Sequence, residues 1–353
     1  KVLELSDCGI ALASGLPVNS DQSHVLNFLK IPNLSQADTF IKNIGKKQYE
    51  LGFIDGGVVS CDSHNTLYSG KIDIQKDKES KDKYPSKCLK VHVVCDQRYR
   101  NPIYINAKYA GVKAVSIGKE LIAATSEIIK KQPITFVMDK WFSVGELLDY
   151  INKNHHQFIT LIRRSKSRIE EMEKIPADKF SAIAEKKGIT CIKTNIRNYT
   201  DELRLIVIEE IIDNTKHYFG YFTNDYKKNK LSVISDYSKR WGIEFWFNEG
   251  DFIGLNSLPS IELNTVTTAL ALKMAAYYAV NNFRANLGNA FAAYNIESIF
   301  EKFFNKQALI ILKKDVIEVT MFGHPYSDIL NSIYQDLSNK LLKKNINPNI
   351  PWL

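Results

Sequence analysis

The chain has 353 residues, 44% hydrophobic and 24% charged, which is globular composition with room for one large domain plus appendages, or for two domains. A formal net charge of +8 favours an acidic partner, and nucleic acid is the commonest one for a soluble basic protein. The five cysteines (Cys8, Cys61, Cys88, Cys95 and Cys191) are odd in number and form no C-x-x-C pair, which argues against a disulfide framework or a zinc site and fits a reducing, intracellular setting.

In chain order, residues 1–50 carry apolar positions at helical spacing in VLNFLK and ADTFIKNIGKKQYELGF. GGVVSCDS then reads as a short β-branched strand ending on Asp62. KCLKVHVVCD turns through QRYRNP into IYINAKYAGV, the pattern of a hairpin, with Asp96 as a turn residue. SIGKELIAATSEIIKK is an amphipathic helix with Ser116 at its cap position. ITFVMD is a fourth strand ending on Asp139, SVGELLDYINKN a helix, and QFITLIRR a fifth strand. The order strand–strand–strand–helix–strand–helix–strand predicts a ribonuclease-H-like α/β fold, a mixed five-stranded sheet with helices on its faces.

After Arg164 the alternation stops. KSRIEEMEK is a charged run, and ITCIKTNI, LRLIVIEEII and HYFGYFTND read as three antiparallel strands of an insertion. The next helix is expected near Asp236. TVTTALALKMAAYYAV is interrupted by Lys273 and too short to span a bilayer, so it reads as a buried helix. No signal peptide is legible, and a start at Lys1 rather than Met leaves room for a missing amino-terminal segment. The expected organisation is a helical segment over 1–50, a catalytic core over 51–165 and 231–300, a β-strand insertion over 166–230 and an α/β extension over 301–353.

Three acids draw attention. Asp139 is readable as a helix cap for SVGELL or as a metal ligand at the end of a strand. Asp62 has the same placement, and the first and fourth strands of a ribonuclease-H-like sheet are neighbours. Two close carboxylates repel each other unless a cation lies between them. Hard oxygen donors suit Mg²⁺ or Mn²⁺, and a third acid on an adjoining helix completes a two-metal site. In DYSKRWGIEFWFNEGDF, Tyr237, Arg240, Glu244 and Asp251 fall on one stripe about 60° wide at helical spacing. Alone, that stripe also reads as a self-satisfied Arg240–Glu244 pair on a helix whose apolar faces are buried.

These residues together resemble the DDE transposases of the insertion-sequence-four group, over most of the chain from Phe53 to the terminal IPWL. The matching motifs are VVSCD ending at Asp62, a D-x-x-[FY] motif at Asp139-Lys140-Trp141-Phe142, and the Tyr237, Arg240 and Glu244 of a Tyr-x2-Arg-x3-Glu-x6-Lys signature. A β-strand insertion before the Glu helix is likewise a family trait. The resemblance implies a transposase with Asp62, Asp139 and Glu244 holding two Mg²⁺ or Mn²⁺ ions. Its partner is double-stranded DNA, bridged at two transposon ends by a homodimer in a prokaryotic-type, nucleoid-associated setting.

Tyr237 and Arg240 are implied to bind a phosphate at the transposon end. The sequence departs at Asp251, where the family carries Lys and an acid repels phosphate. Lys239 and the Lys227, Lys228 and Lys230 cluster are candidate substitutes, and a decayed or repurposed DNA-binding chain is the alternative reading. Arg163, Arg164, Lys166 and Arg168 are expected near the active edge as DNA-backbone contacts, and Lys340, Lys343 and Lys344 form a similar cluster. Trp141 is a candidate for stacking on an unpaired base. His64 is a candidate outer ligand-orienting group, His155 and His156 read as surface residues, and Asp55 is the nearest rival to Asp62.

Overall fold

The structure is a computed structural model that describes residues 22–78, 84–313 and 316–342. Cys8, Lys343, Lys344 and the IPWL end lie outside the described residues, as do residues 1–21 of the expected helical segment and the side chain of Lys340.

Helices α1 (Gln22–Lys30) and α2 (Leu34–Glu50) precede the sheet. Asn33 caps α2 in a reciprocal box with Gln36, which fixes where the helix begins. The central strands are β1 (Val58–Leu67), β3 (Ser86–Asp96), β4 (Pro102–Tyr109), β5 (Thr135–Met138) and β6 (Gln157–Leu161), with β2 (Lys76–Asp77) short at one edge. Their spatial order is β4–β3–β1–β5–β6. The first three pair antiparallel, and β1–β5 and β5–β6 pair parallel. This is the ribonuclease-H-like order expected from the strand pattern.

β5 is a four-residue run buried throughout, as a parallel strand covered on both faces must be. Phe136 and Met138 share a core with Leu121 of α3 (Ala114–Ile128) and Leu148 of α4 (Gly145–Lys153). Val137 faces the other way, into a core with Ile159 and Ile206. Val233 and Tyr237 of α6 (Lys230–Ser238) close that second face.

The insertion departs from expectation in how it attaches. After α5 (Lys166–Glu173), strands β7 (Ser181–Ala184), β8 (Lys187–Thr194), β9 (Leu203–Ile212) and β10 (Thr215–Thr223) do not fold apart from the core. Tyr221, Phe222 and Thr223 of β10 pair with Leu161, Thr160 and Ile159 of β6, so the ten strands form one continuous sheet. An unpaired β6 edge beside the core would leave its backbone N–H and C=O groups without partners, and β10 supplies them.

Four local expectations change. The charged KSRIEEMEK run is the helix α5, started by the Ser165 side chain. The first amphipathic helix starts at Ala114 after Lys113, not at Ser116. The helix expected near Asp236 starts at Lys230, where Asn229 Oδ1 accepts the Leu231 N–H. It then tightens into a 3₁₀ turn over Lys239–Trp241 before continuing as α7 (Gly242–Phe252). A chain of α8 (Leu263–Asn286), α9 (Ile296–Ile299), β11 (Ala308–Lys313), β12 (Val316–Met321) and α10 (Ser327–Leu342) follows. No helix among the described residues is long and apolar enough to cross a membrane.

Candidate active site

The parallel pairing of β1 with β5 ends at Cys61 opposite Met138. The next residue on each strand is Asp62 and Asp139. Cys61 and Met138 lie in the core on one face, so period-two alternation sends both carboxylates toward the other face. β1 itself does not end at Asp62, as its sequence suggests, but runs on to Leu67 against β3. What ends there is the parallel partner, and the gap beyond it opens the cleft.

Asp139 does not cap a helix. It precedes a 3₁₀ turn over Lys140–Phe142 and makes no side-chain capping bond, while α4 starts later, after Val144. The turn is held by its carbonyls. Thr160 Oγ1 donates to Asp139 O at 3.2 Å, and Arg163 donates to Lys140 O at 3.1 Å and Trp141 O at 2.9 Å. Phe142 is buried in the main core and anchors the turn from below. Trp141 is half-buried, stacked on His92 at 6.0 Å with Lys90 Nζ 5.2 Å from its centroid.

Tyr237 near the end of α6 and Arg240 in the 3₁₀ turn that follows are three residues apart and so lie on neighbouring parts of one helix face. The Arg240 guanidinium lies 5.7 Å from the Tyr237 ring, which packs on Tyr221 at 5.0 Å. Arg240 is buried. Its Nη1 donates to Asp62 Oδ2, its Nη2 stands 3.8 Å from Glu244 Oε1, and its Nε has no hydrogen-bond partner. Burial pushes the Asp62 carboxyl up to about 6, against the pull of Arg240 and the Ser63 N–H, and nearby Asp139 and Glu244 add to the rise. Asp62, Asp139 and Glu244 line one open cleft of about 690 Å³ with Asp77, Lys78, Lys90, Lys140 and Asp251.

A family model, Transposase DDE domain, matches residues 46–279, well over half of the chain. The chain belongs to the DDE transposase-domain family. A comparison with curated proteins found no match. Among solved structures, the chain is similar to the cryo-EM structure of piggyBac transposase synaptic complex with hairpin DNA, at 12% identity and a TM-score of 0.41. That alignment covers 86% of this chain and 62% of the other.

In this transposase domain the three acids are hard oxygen donors around one cleft, which fits Mg²⁺ or Mn²⁺ in kind. Among the described residues, no group of three His, Cys, Asp or Glu side chains stands close enough to hold one ion. Asp62 Oδ2 is engaged by Arg240 and Asp62 Oδ1 by the Ser63 N–H, which leaves each oxygen one further acceptor position. The orphaned, buried Nε of Arg240 marks that guanidinium as a group with donor capacity still unused.

Asp251 of this transposase domain faces the same cleft but is held by its neighbours. Asn256 Nδ2 donates to Asp251 Oδ1, Asn256 Oδ1 meets His64 Nε2 at 2.7 Å, and the His64 ring stacks on Phe247 at 4.9 Å. The proposed substitute cations are elsewhere. Lys228 and Lys239 both pair with Asp236, and Lys227 and Lys230 line a separate groove. The cations that do line the cleft, Lys78, Lys90 and Lys140, were not singled out by sequence. Lys90 pairs with Asp77 at 2.5 Å, and its mid-strand position gives no signal beyond alternation.

The basic run divides. Arg163 braces the Asp139 turn, and Arg168 bonds Glu171, Thr194 and Asn195. Arg164 and Lys166 are exposed, Arg164 lying over the Phe219 ring. Trp241 and Phe245 are 61% and 59% exposed rather than buried as the apolar helix pattern suggested. His156 is buried, not on the surface: its Nδ1 accepts the Ile134 N–H, and its Nε2 meets Ser126 Oγ at 2.9 Å. Asp55 pairs with Arg98 and Lys131, away from the cleft lining, and Asp96 accepts the N–H groups of Asp55, Gly56 and Tyr99 as a turn residue.

Proposed function

We propose that this transposase domain cleaves phosphodiester bonds at transposon ends and joins the freed 3′-hydroxyl to target DNA. Asp62, Asp139 and Glu244 hold the divalent cations, and double-stranded DNA is the partner. The observation that carries this reading is the register: Asp62 and Asp139 each follow the last paired residue of adjacent parallel strands, in the cleft that Glu244 also lines. Two Mg²⁺ or Mn²⁺ ions bound there would activate the attacking oxygen and stabilise the leaving one.

The side chains divide the remaining work. Arg240 leaves Asp62 for a phosphate oxygen of the processed strand, and its unpartnered Nε supplies a second donor in the planar geometry a phosphate accepts. Tyr237 holds the guanidinium plane through its ring. Arg163 keeps the Asp139 turn in place, and the exposed Arg164 and Lys166 contact the DNA backbone. Trp141, held by His92, offers its remaining edge to a base next to the cleaved bond. In the first step a water oxygen attacks phosphorus and a 3′-hydroxyl leaves. In the second that hydroxyl attacks a target phosphodiester and one P–O bond replaces another, so no external energy source is needed. Two protomers bridging two ends complete the proposal.

The test is Mn²⁺ calorimetry with duplex DNA present. Saturable binding by the wild type that disappears in Asp139→Asn supports the site, and no binding by the wild type removes it. Joining of a labelled 3′-hydroxyl oligonucleotide to plasmid DNA then separates a transposase from a nuclease that only cuts. One observation favours a second reading, a repurposed DNA-binding protein: the Arg240–Asp62 pair and the Asp251–Asn256–His64 chain engage cleft carboxylates with protein partners. Duplex binding with neither ion binding nor cleavage is the outcome that reading expects.

A further inference from the structure

The insertion strands carry many cations, and most along their ladders are neutralised. Lys187 pairs with Glu210 at 3.4 Å, Lys193 with Glu202 at 2.7 Å and Lys216 with Glu209 at 2.9 Å. One groove differs. Lys179, Arg204, Lys227, Lys228 and Lys230 line an open hollow of about 630 Å³ whose lining includes no acid. Lys228 reaches out of it to Asp236. Arg204 is held by the carbonyls of Asp225 and Lys228 and by Cys191 Sγ, which fix its position without cancelling its charge. Lys179, Lys227 and Lys230 have no carboxylate within ion-pair distance among the described residues.

A fold that pairs its ladder lysines yet leaves four like charges facing one hollow builds a local positive potential there that draws in an anion. Asn229 Oδ1 already takes the Leu231 N–H at the start of α6, so the side-chain cations carry the site, not the helix end. α6 leads from this groove to the 3₁₀ turn that presents Arg240 in the catalytic cleft. The ten residues from Lys230 to Arg240 span roughly 15 Å at helical rise. Duplex DNA covers that distance in about four to five base pairs.

We propose that this groove is a second DNA-backbone site, separate from the catalytic cleft, that grips phosphates of the same duplex about half a helical turn from the bond at Asp62 and Asp139. The inference rests on the DNA reading above. Its contacts are to phosphates, so it adds affinity and salt dependence without reading sequence. Lys227 and Lys230 act here as backbone cations rather than as replacements for the family lysine at position 251.

The experiment needs no knowledge of the transposon ends. Binding of a labelled duplex of about 30 base pairs with arbitrary sequence is followed by anisotropy across a salt series. Substituting Lys179→Gln, Lys227→Gln and Lys230→Gln together is expected to lower the slope of log K against log salt by about 2 to 3. The Lys→Arg versions at the same three positions keep the slope. The control set Lys187→Gln, Lys193→Gln and Lys216→Gln removes the same formal charge from paired lysines and leaves the slope within about half a unit of wild type. An unchanged slope in the groove variant, or an equal fall in both Gln sets, overturns the groove while the DNA reading stands. A wild-type chain that binds no duplex overturns both.

Discussion

Asp62 lies under opposed influences. Burial raises its carboxyl to about 6, and Arg240 beside it draws it down. A carboxyl whose folded-state pKa stands above its unfolded value binds its proton more tightly in the folded chain. The stability this contributes is full below about pH 4 and is lost as pH rises through about 6. In metal-free buffer the unfolding free energy of the wild type is therefore expected to fall relative to that of Asp62→Asn between about pH 4 and 6.5, by on the order of 3 kcal/mol at most, read from urea titrations of both proteins. A difference between the two that stays constant or grows in favour of the wild type over that range contradicts the assignment. The acids themselves were legible in the sequence because each interrupts or follows an apolar run. That Arg240 reaches Asp62 rather than resting on Glu244 alone was not, since Asp62 and Arg240 are far apart in the chain and meet only once β1 and the 3₁₀ turn are in place.

At the scale of elements, helix positions depend on close approaches that periodicity does not display. α2 crosses β4 at Gly45, where a Cβ would meet the Ile103 carbonyl oxygen at 2.4 Å. The obstacle is backbone, so it cannot rotate aside. Gly45→Ala is expected to destabilise the fold by roughly 1–3 kcal/mol, read as a lower urea midpoint with an unchanged slope. A midpoint equal to wild type would mean that α2 is free to shift away from the sheet. Element boundaries were the least legible feature for a related reason. Lys113 starts α3 without any side-chain cap, and the 3₁₀ turn that divides α6 from α7 is marked in the sequence only by Gly242 at its end. Apolar positions in that divided helix also misled: Ile243 and Trp246 are buried, whereas Trp241 and Phe245 face outward.

Across the whole molecule, the decisive joint is β6 with β10. It makes the insertion part of the core sheet, and Val137, Ile159, Ile206 and Ile208 share one hydrophobic cluster across it. Elements that share a core and a continuous ladder open together. Amide hydrogen exchange of β9 and β10 is therefore expected to match that of β5 and β6 in protection and in denaturant dependence. A separate, earlier opening of residues 203–223 would show instead that the insertion is an independent unit. Such a joint has no sequence signature, because strand edges are paired by whichever chain segment returns beside them.

The sequence by itself determined the order of the core strands and helices from Val58 to Leu161, the three carboxylates and their family signature, and the departure at Asp251; it showed three of the four insertion strands. Those are local features: periodicity, residue type and spacing carry them. Only the tertiary structure decided that Asp62 and Asp139 stand side by side beyond the Cys61–Met138 pair, that Arg240 holds Asp62, that Asn256 and His64 engage Asp251, and that one groove of the insertion keeps its positive charge uncompensated. Apart from the local Asn256–Asp251 bond, each depends on groups distant in the chain meeting across the sheet or its edge, where register, burial and charge pairing are set by packing rather than by neighbours in sequence.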